Sequence, residues 1–255
     1  MRRRLANETA TFAVAVQFLT RVPVPAGAYT PERLRAAVRH YPLVGALVGA
    51  FAAAVLLVTD QAFTPLVAML LSSGATLLLT GAFHEDGLAD TFDGIGGGAD
   101  RIRTLEIMRD SRIGTYGTLA LAIVLALKIA SLAALPIAAA AVALVAGHGL
   151  SRLSAVLVIA TARYARDEGT GKFTASGLSV RSLTFALATG ALLAGGLGWM
   201  LGGAVLAWAL GGLALGHLGG RAVFERRLGG YTGDCLGAVQ QLSEVGLYLG
   251  LLACA

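Results

Sequence analysis

The chain is short of charge. Asp, Glu, Lys and Arg make up 14% of its 255 residues, about half the usual share, while 56% are hydrophobic and the mean hydropathy is +0.73. A soluble domain cannot bury that much apolar surface, so a water-soluble globule is excluded and a polytopic membrane protein is expected. Cysteine is almost missing too. Cys235 and Cys254 match no metal-ligand spacing, and no other thiol lies near either, which excludes a disulfide framework. Aromatic residues are sparse, and the arginines behind the net charge of +5 flank apolar runs without forming a basic stripe. Nucleic acid is therefore not an expected partner, and the charges are better read as orienting the chain in a lipid bilayer. A cleavable signal peptide is not expected either: after MRRR the apolar stretch is short, carries Gln17, and ends at Arg21 and two prolines. That segment reads as an amphipathic helix at the membrane interface.

What the chain has in plenty is apolar runs. Spans are expected at Tyr41 to Val58, Pro65 to Phe83, Tyr116 to Leu135, Ile137 to Thr161, Leu183 to Met200, Leu201 to Leu218 and Val239 to Ala255. The expected fold is an all-α membrane helix bundle of about seven spans, one integral domain over residues 1–255, with the N-terminal interfacial helix beside it. Connections alternate between short turns without Lys or Arg, around Asp60, Leu135-Pro136 and Trp199 to Gly203, and longer loops that hold nearly all the basic residues. By the positive-inside rule the longer loops face the cytoplasm, so the active site is expected on the cytoplasmic face of the membrane.

The densest of those loops is HEDGLADTFDGIGGGADRIRTLEIMRDSRIGTYG, His84 to Gly117. Asp86, Asp90 and Asp93 recur at i, i+4 and i+7, which places three carboxylates on one stripe of a helix. Such oxygens suit Mg²⁺ or Mn²⁺, with Asp110 as a further ligand. Glu85 points about 100° away from the stripe and is left out of the metal set. The run Asp93 to Gly98 is expected to unwind into a flexible loop because glycine disfavours helix. There the amides of Gly94, Gly96 and Gly97 would meet phosphate oxygens, assisted by Arg101, Arg109 and Arg112. Carboxylates for a metal and arginines for phosphates in one loop point to a diphosphate substrate bridged by a divalent cation. A carboxylate of the cluster, Asp86 or Asp90, or else His84, is the candidate base.

Other polar groups fall in or beside spans. Arg152 is a candidate phosphate ligand, with snorkelling to the headgroups as the alternative for both it and Lys128. His148 joins them within the apolar runs. The last basic loop supplies Tyr231 and Asp234, Asp234 doubling as a helix N-cap, and Gln240, Gln241 and Glu244 carry polarity into the final span, as a pocket or an interhelical contact requires. The loop with Arg163, Arg166, Asp167, Glu168 and Lys172 reads as an ordinary solvated one.

Long motifs give these residues a relative. FLTRVPVP at Phe18 to Pro25, YPLVG at Tyr41 to Gly45, HEDGLADTFDGIGGG at His84 to Gly98, EIMRDSRIGTYG at Glu106 to Gly117, GLSRLSAV at Gly149 to Val156 and GGYTGDCLGAVQQLSE at Gly229 to Glu244 resemble the cobalamin (5'-phosphate) synthases, also called adenosylcobinamide-GDP ribazoletransferases. The resemblance implies a multi-pass enzyme of the bacterial inner membrane that joins adenosylcobinamide-GDP to alpha-ribazole, or to its 5'-phosphate, releasing GMP and closing the nucleotide loop of cobalamin, with Mg²⁺ as cofactor. The aspartate motif is more loosely similar to that of the CDP-alcohol phosphotransferases, without its DG-x2-AR continuation. A membrane phosphotransferase with a nucleotide-diphosphate-linked lipid or alcohol donor is the alternative. A transporter fits less well, since charge is gathered on one face. A homo-oligomer is compatible with the sequence.

Overall fold

The structure is a computed structural model that describes residues 2–25, 30–166 and 171–254. Eleven α-helices follow one another: α1 (Arg2–Leu19), α2 (Pro31–Ala37), α3 (Tyr41–Thr59), α4 (Pro65–Thr80), α5 (Phe83–Gly97), α6 (Arg101–Ile107), α7 (Thr115–Ala133), α8 (Ile137–Thr161), α9 (Val180–Leu201), α10 (Gly203–Leu228) and α11 (Gly233–Cys254). Among the described residues there is no strand, and the all-α bundle expected from the sequence is what forms. Helix starts follow local chemistry. Pro42 and Pro65 open α3 and α4, where a missing amide costs nothing, and Asp100 and Ser179 cap α6 and α9 by accepting from the amides of Arg103 (2.9 Å) and Ser182 (3.2 Å).

Among the described residues six helices are long and apolar enough to cross a membrane, or up to seven if α4 and α5 count as one bent span. The two meet at 88°, across Gly81 and Ala82, both at positive φ. For alanine that left-handed conformation is strained, so the corner is held by its surroundings. The Arg21 amide donates to the Leu79 carbonyl, and Phe18 contacts both Phe83 and Tyr41. The end of α4 thus returns to the level where α3 began. We read α4 as the crossing partner of α3 and α5 as lying across the end of the bundle, outside the spans.

α8 and α11 form the buried axis, and α9 and α10 leave most of their surface to lipid. Close approach sets the packing: a Cβ at Gly49 would meet the Leu144 carbonyl at 2.3 Å, and one at Gly212 the Gly246 carbonyl at 2.0 Å, so α3–α8 and α10–α11 touch backbone to backbone. α1 buries Val14, Ala15 and Leu19 in the core.

Two expectations change. Helix continues through DGIGG to Gly97, where a loop was expected, because the missing side chains make room for neighbours: a Cβ at Gly94 would meet Met108, and one at Gly96 the Tyr116 ring. The contacts of α5 with α6 and α7 outweigh the local helix cost of glycine, about 1 kcal/mol each. The final helix begins at Gly233, so Asp234 stands inside its first turn, and Thr232, whose Oγ1 accepts from the Cys235 amide, takes the capping place expected of Asp234.

Candidate functional site

The site is assembled where α5 crosses the start of α11. Gly87 lies against Asp234, where a Cβ would meet the Asp234 carbonyl at 2.7 Å, and Gly237 lies against His84. This contact brings Asp86 and Asp90 to Asp234, a residue 144 positions further along than Asp90. Asp90 is half-buried; desolvation first, then the charges of Asp86 and Asp234, push its carboxyl up to about 7. Asp86 is exposed at the mouth.

A second junction delivers a cation. Tyr164 and Tyr231 form an isolated parallel bridge: the Ala165 amide donates to the Tyr231 carbonyl and the Tyr231 amide to the Arg163 carbonyl, both at 2.8 Å. Arg101 clamps it, donating through Nε to the Leu228 carbonyl (2.9 Å) and through Nη2 to the Ala165 carbonyl (2.6 Å). Held this way, Arg166 reaches Asp234, Nη2 to Oδ2 3.0 Å, and Thr232 Oγ1 donates to the same carboxylate. No local signal marks this role for Arg166, which sits in a loop read as solvated. Asp167 and Glu168 of that loop lie outside the described residues, Arg163 is exposed, and Lys172 opens a 3₁₀ turn ending at Thr174.

Other expected site residues are engaged differently. Asp93 is buried and caps α7, accepting from the amides of Gly114 (2.7 Å) and Gly117 (2.8 Å). Asp110 pairs with Arg112 (2.6 Å), whose hydrogen bonds hold its carboxyl down at about 2. Arg109 is exposed at the end of α6, close enough to Tyr164 to lower that phenol's pKa, against a larger rise from burial. Tyr231 is fully buried, its hydroxyl on Thr174. As Gly94, Gly96 and Gly97 are helical, their role is packing, and the open amide cradle expected of them does not form: the Gly94 carbonyl accepts from the Gly98 amide. His84 is buried, and burial with nearby Arg152 holds its imidazole well below the ordinary pKa.

Beneath the site runs a buried polar network. Glu244 is fully buried and takes Lys128 Nζ at 2.9 Å and the Tyr248 hydroxyl at 3.0 Å, with His148 at 3.5 Å. Gln240 donates to Glu244 and to Ser151, and Gln241 donates to Glu85 at 2.9 Å. Lys128 and Arg152 therefore do not snorkel. Arg152, 2% exposed, donates to the His148 carbonyl at 2.9 Å. The signal for this network was in the sequence: Gln240, Glu244 and Tyr248 fall at i, i+4 and i+8, one helical face.

No group of three or more His, Cys, Asp or Glu side chains is placed to hold a metal among the described residues. What converges is a set of carboxylates, Asp86, Asp90 and Asp234, with Arg166 against the last. Mg²⁺ keeps several waters and is commonly held by one or two carboxylates together with substrate phosphates, and these donors suit such an ion.

The cobalamin-5-phosphate synthase family model matches residues 11–252. The adenosylcobinamide-GDP ribazoletransferase of Leptothrix cholodnii is 47% identical, covering 98% of this chain and 97% of its own. That of Ralstonia nicotianae is 44% identical, over 94% and 93%, and that of Vibrio cholerae 43%, over 95% and 93%. No solved structure matches. With a match from the first helix to the last and the conserved-length relatives just described, the chain belongs to the cobalamin-5-phosphate synthase family.

Proposed function

We propose that this chain is a Mg²⁺-dependent adenosylcobinamide-GDP ribazoletransferase: it joins adenosylcobinamide-GDP to alpha-ribazole or its 5'-phosphate, giving adenosylcobalamin or its 5'-phosphate and GMP. The observation that carries it is the convergence of Asp86, Asp90 and Asp234 with Arg166 at the α5–α11 crossing. Asp86 and Asp234 would hold the cation jointly with the donor's diphosphate. When bound, it supplies charge neutralisation at the diphosphate and draws electrons from the reacting phosphorus.

The chain's own groups do the rest. An acceptor hydroxyl oxygen bonds to the phosphorus linked to cobinamide, the bond from that phosphorus to the bridging oxygen breaks, and GMP leaves with the electron pair. Asp90 takes the hydroxyl proton; a carboxyl near 7 is matched to proton transfer at neutral pH. Arg166, whose Nε has no hydrogen-bond partner, and exposed Arg109 offer charge to the departing phosphate. His84 is too deeply buried, and its imidazole too weak a base, to serve as well as Asp90.

The loops at the site's end of the bundle hold most of the basic residues, which supports an orientation with the site on the cytoplasmic face of the inner membrane. The deciding assay is GMP release from adenosylcobinamide-GDP and alpha-ribazole by the purified chain in lipid nanodiscs, with Mg²⁺ or with a chelator. Release only with all three components supports the reading, and none under any of these conditions overturns it.

A further inference from the structure

Beside the carboxylates lies a pocket that the proposed chemistry does not use. Its walls are aromatic: Phe18 stacks on Tyr41 at 5.9 Å and meets the edges of Phe83 (5.5 Å) and Phe173 (5.7 Å), and all four rings line it. Arg152 lines it as well. That side chain is 2% exposed, and its Nε, unlike its Nη1, has no hydrogen-bond partner. A buried guanidine N–H left without an acceptor is costly unless a ligand supplies one.

The lining tells what kind of ligand. It contains no Asp, Glu, Asn or Gln; its Thr174 hydroxyl is already engaged with Tyr231, and besides Arg152 only Tyr41 and His84 bring further polar side-chain atoms. Guanine carries an N–H and an amino group side by side, an edge that calls for a carboxylate or amide opposite it, and the lining has neither. A flat apolar bicycle with a ring-nitrogen acceptor matches both the aromatic walls and the unpartnered Nε of Arg152. The pocket also adjoins the reacting centre along the chain. Gly233, which lines it, precedes Asp234, and His84 lies two residues before Asp86.

We infer that this pocket between α1, α3, α5, α8 and α11 binds the benzimidazole-type base of the acceptor, with Arg152 Nε donating to its free ring nitrogen. This rests on the ribazoletransferase reading and adds to it which substrate half sits where. The occupant of the guanine end is placed elsewhere.

The test uses the full chain in nanodiscs. Equilibrium binding of alpha-ribazole alone, without turnover, is expected to be saturable and at least tenfold weaker for an analogue in which C–H replaces the free ring nitrogen; equal affinity for the two removes Arg152 from the inference. Ala155→Met and Leu236→Trp, which fill the pocket, are expected to raise the KM for alpha-ribazole at least tenfold and leave the KM for adenosylcobinamide-GDP unchanged. A raised donor KM with an unchanged acceptor KM would give the pocket to guanine and overturn the inference. Should a filled variant fail to fold, an azido-benzimidazole riboside photo-crosslinked to the unaltered chain is expected to mark peptides containing Phe173 or Leu236, and marking elsewhere refutes it. If GMP is never released yet alpha-ribazole binds with the expected ring-nitrogen preference, the reaction assignment fails while the pocket stands.

Discussion

At the scale of single residues, carboxylates on one stripe of one helix have separate tasks. Asp93 is spent on the amides of Gly114 and Gly117, so Asp93→Ala leaves the start of α7 with two unsatisfied donors. A loss of about 1–3 kcal/mol follows, read as a lower midpoint in thermal unfolding of the detergent-solubilised chain. Asp90 behaves differently. Its folded-state carboxyl near 7 stands above the ordinary 3.8, so the folded chain holds a proton that the unfolded chain releases between those values, and stability declines as pH rises through that window. The same shift sets activity: kcat/KM for GMP release is expected to climb as pH rises through about 7, and Asp90→Asn should abolish that limb along with most of the rate. An unchanged profile in folded Asp90→Asn would remove it as the base.

At the scale of elements, the site exists because α5 lies directly on the first turns of α11. Gly87→Val puts a branched side chain where the Asp234 backbone already stands, with a Cβ contact of 2.7 Å, and must part the two helices. Activity is expected to fall at least a hundredfold, about 2.7 kcal/mol in transition-state terms, because the carboxylates no longer converge. Circular dichroism that shows retained helix, together with lost turnover, is the check. How much of this the sequence disclosed depended on range. The stripe Asp86, Asp90 and Asp93 is a local regularity, and so is the helical face of Gln240, Glu244 and Tyr248; both are legible from spacing alone. Glycines in DGIGGG were misleading because their value lies in neighbours, Met108 and Tyr116, that no local rule sees. The partnership of Asp90 with Asp234, and the delivery of Arg166 by the Tyr164–Tyr231 bridge, are products of tertiary packing, invisible until distant segments meet.

At the scale of the whole molecule, the question is what keeps the crossing helices in register inside a bundle otherwise held by apolar and small residues. The buried network answers it: Lys128 on α7, His148 and Ser151 on α8 and Gln240 on α11 all converge on Glu244, and Gln241 carries the chain of contacts to Glu85 on α5. A carboxylate with no exposure at all is tolerable only while its partners stay in place. Removing one partner is then worse than removing the pair. Lys128→Met leaves Glu244 Oε1 with the Tyr248 hydroxyl but without its cation, and a loss of about 3–5 kcal/mol is expected, whereas Lys128→Met with Glu244→Gln deletes both charges and should recover much of it. The comparison is made by unfolding midpoints of the two variants and the unaltered chain. Because Gln241 accepts from Lys128 through Oε1 and donates to Glu85 through Nε2, the single variant should also lower GMP release in the fraction that remains folded, and the double variant should restore both. A double variant no more stable than Lys128→Met would mean that the network binds the helices through packing and not through charge.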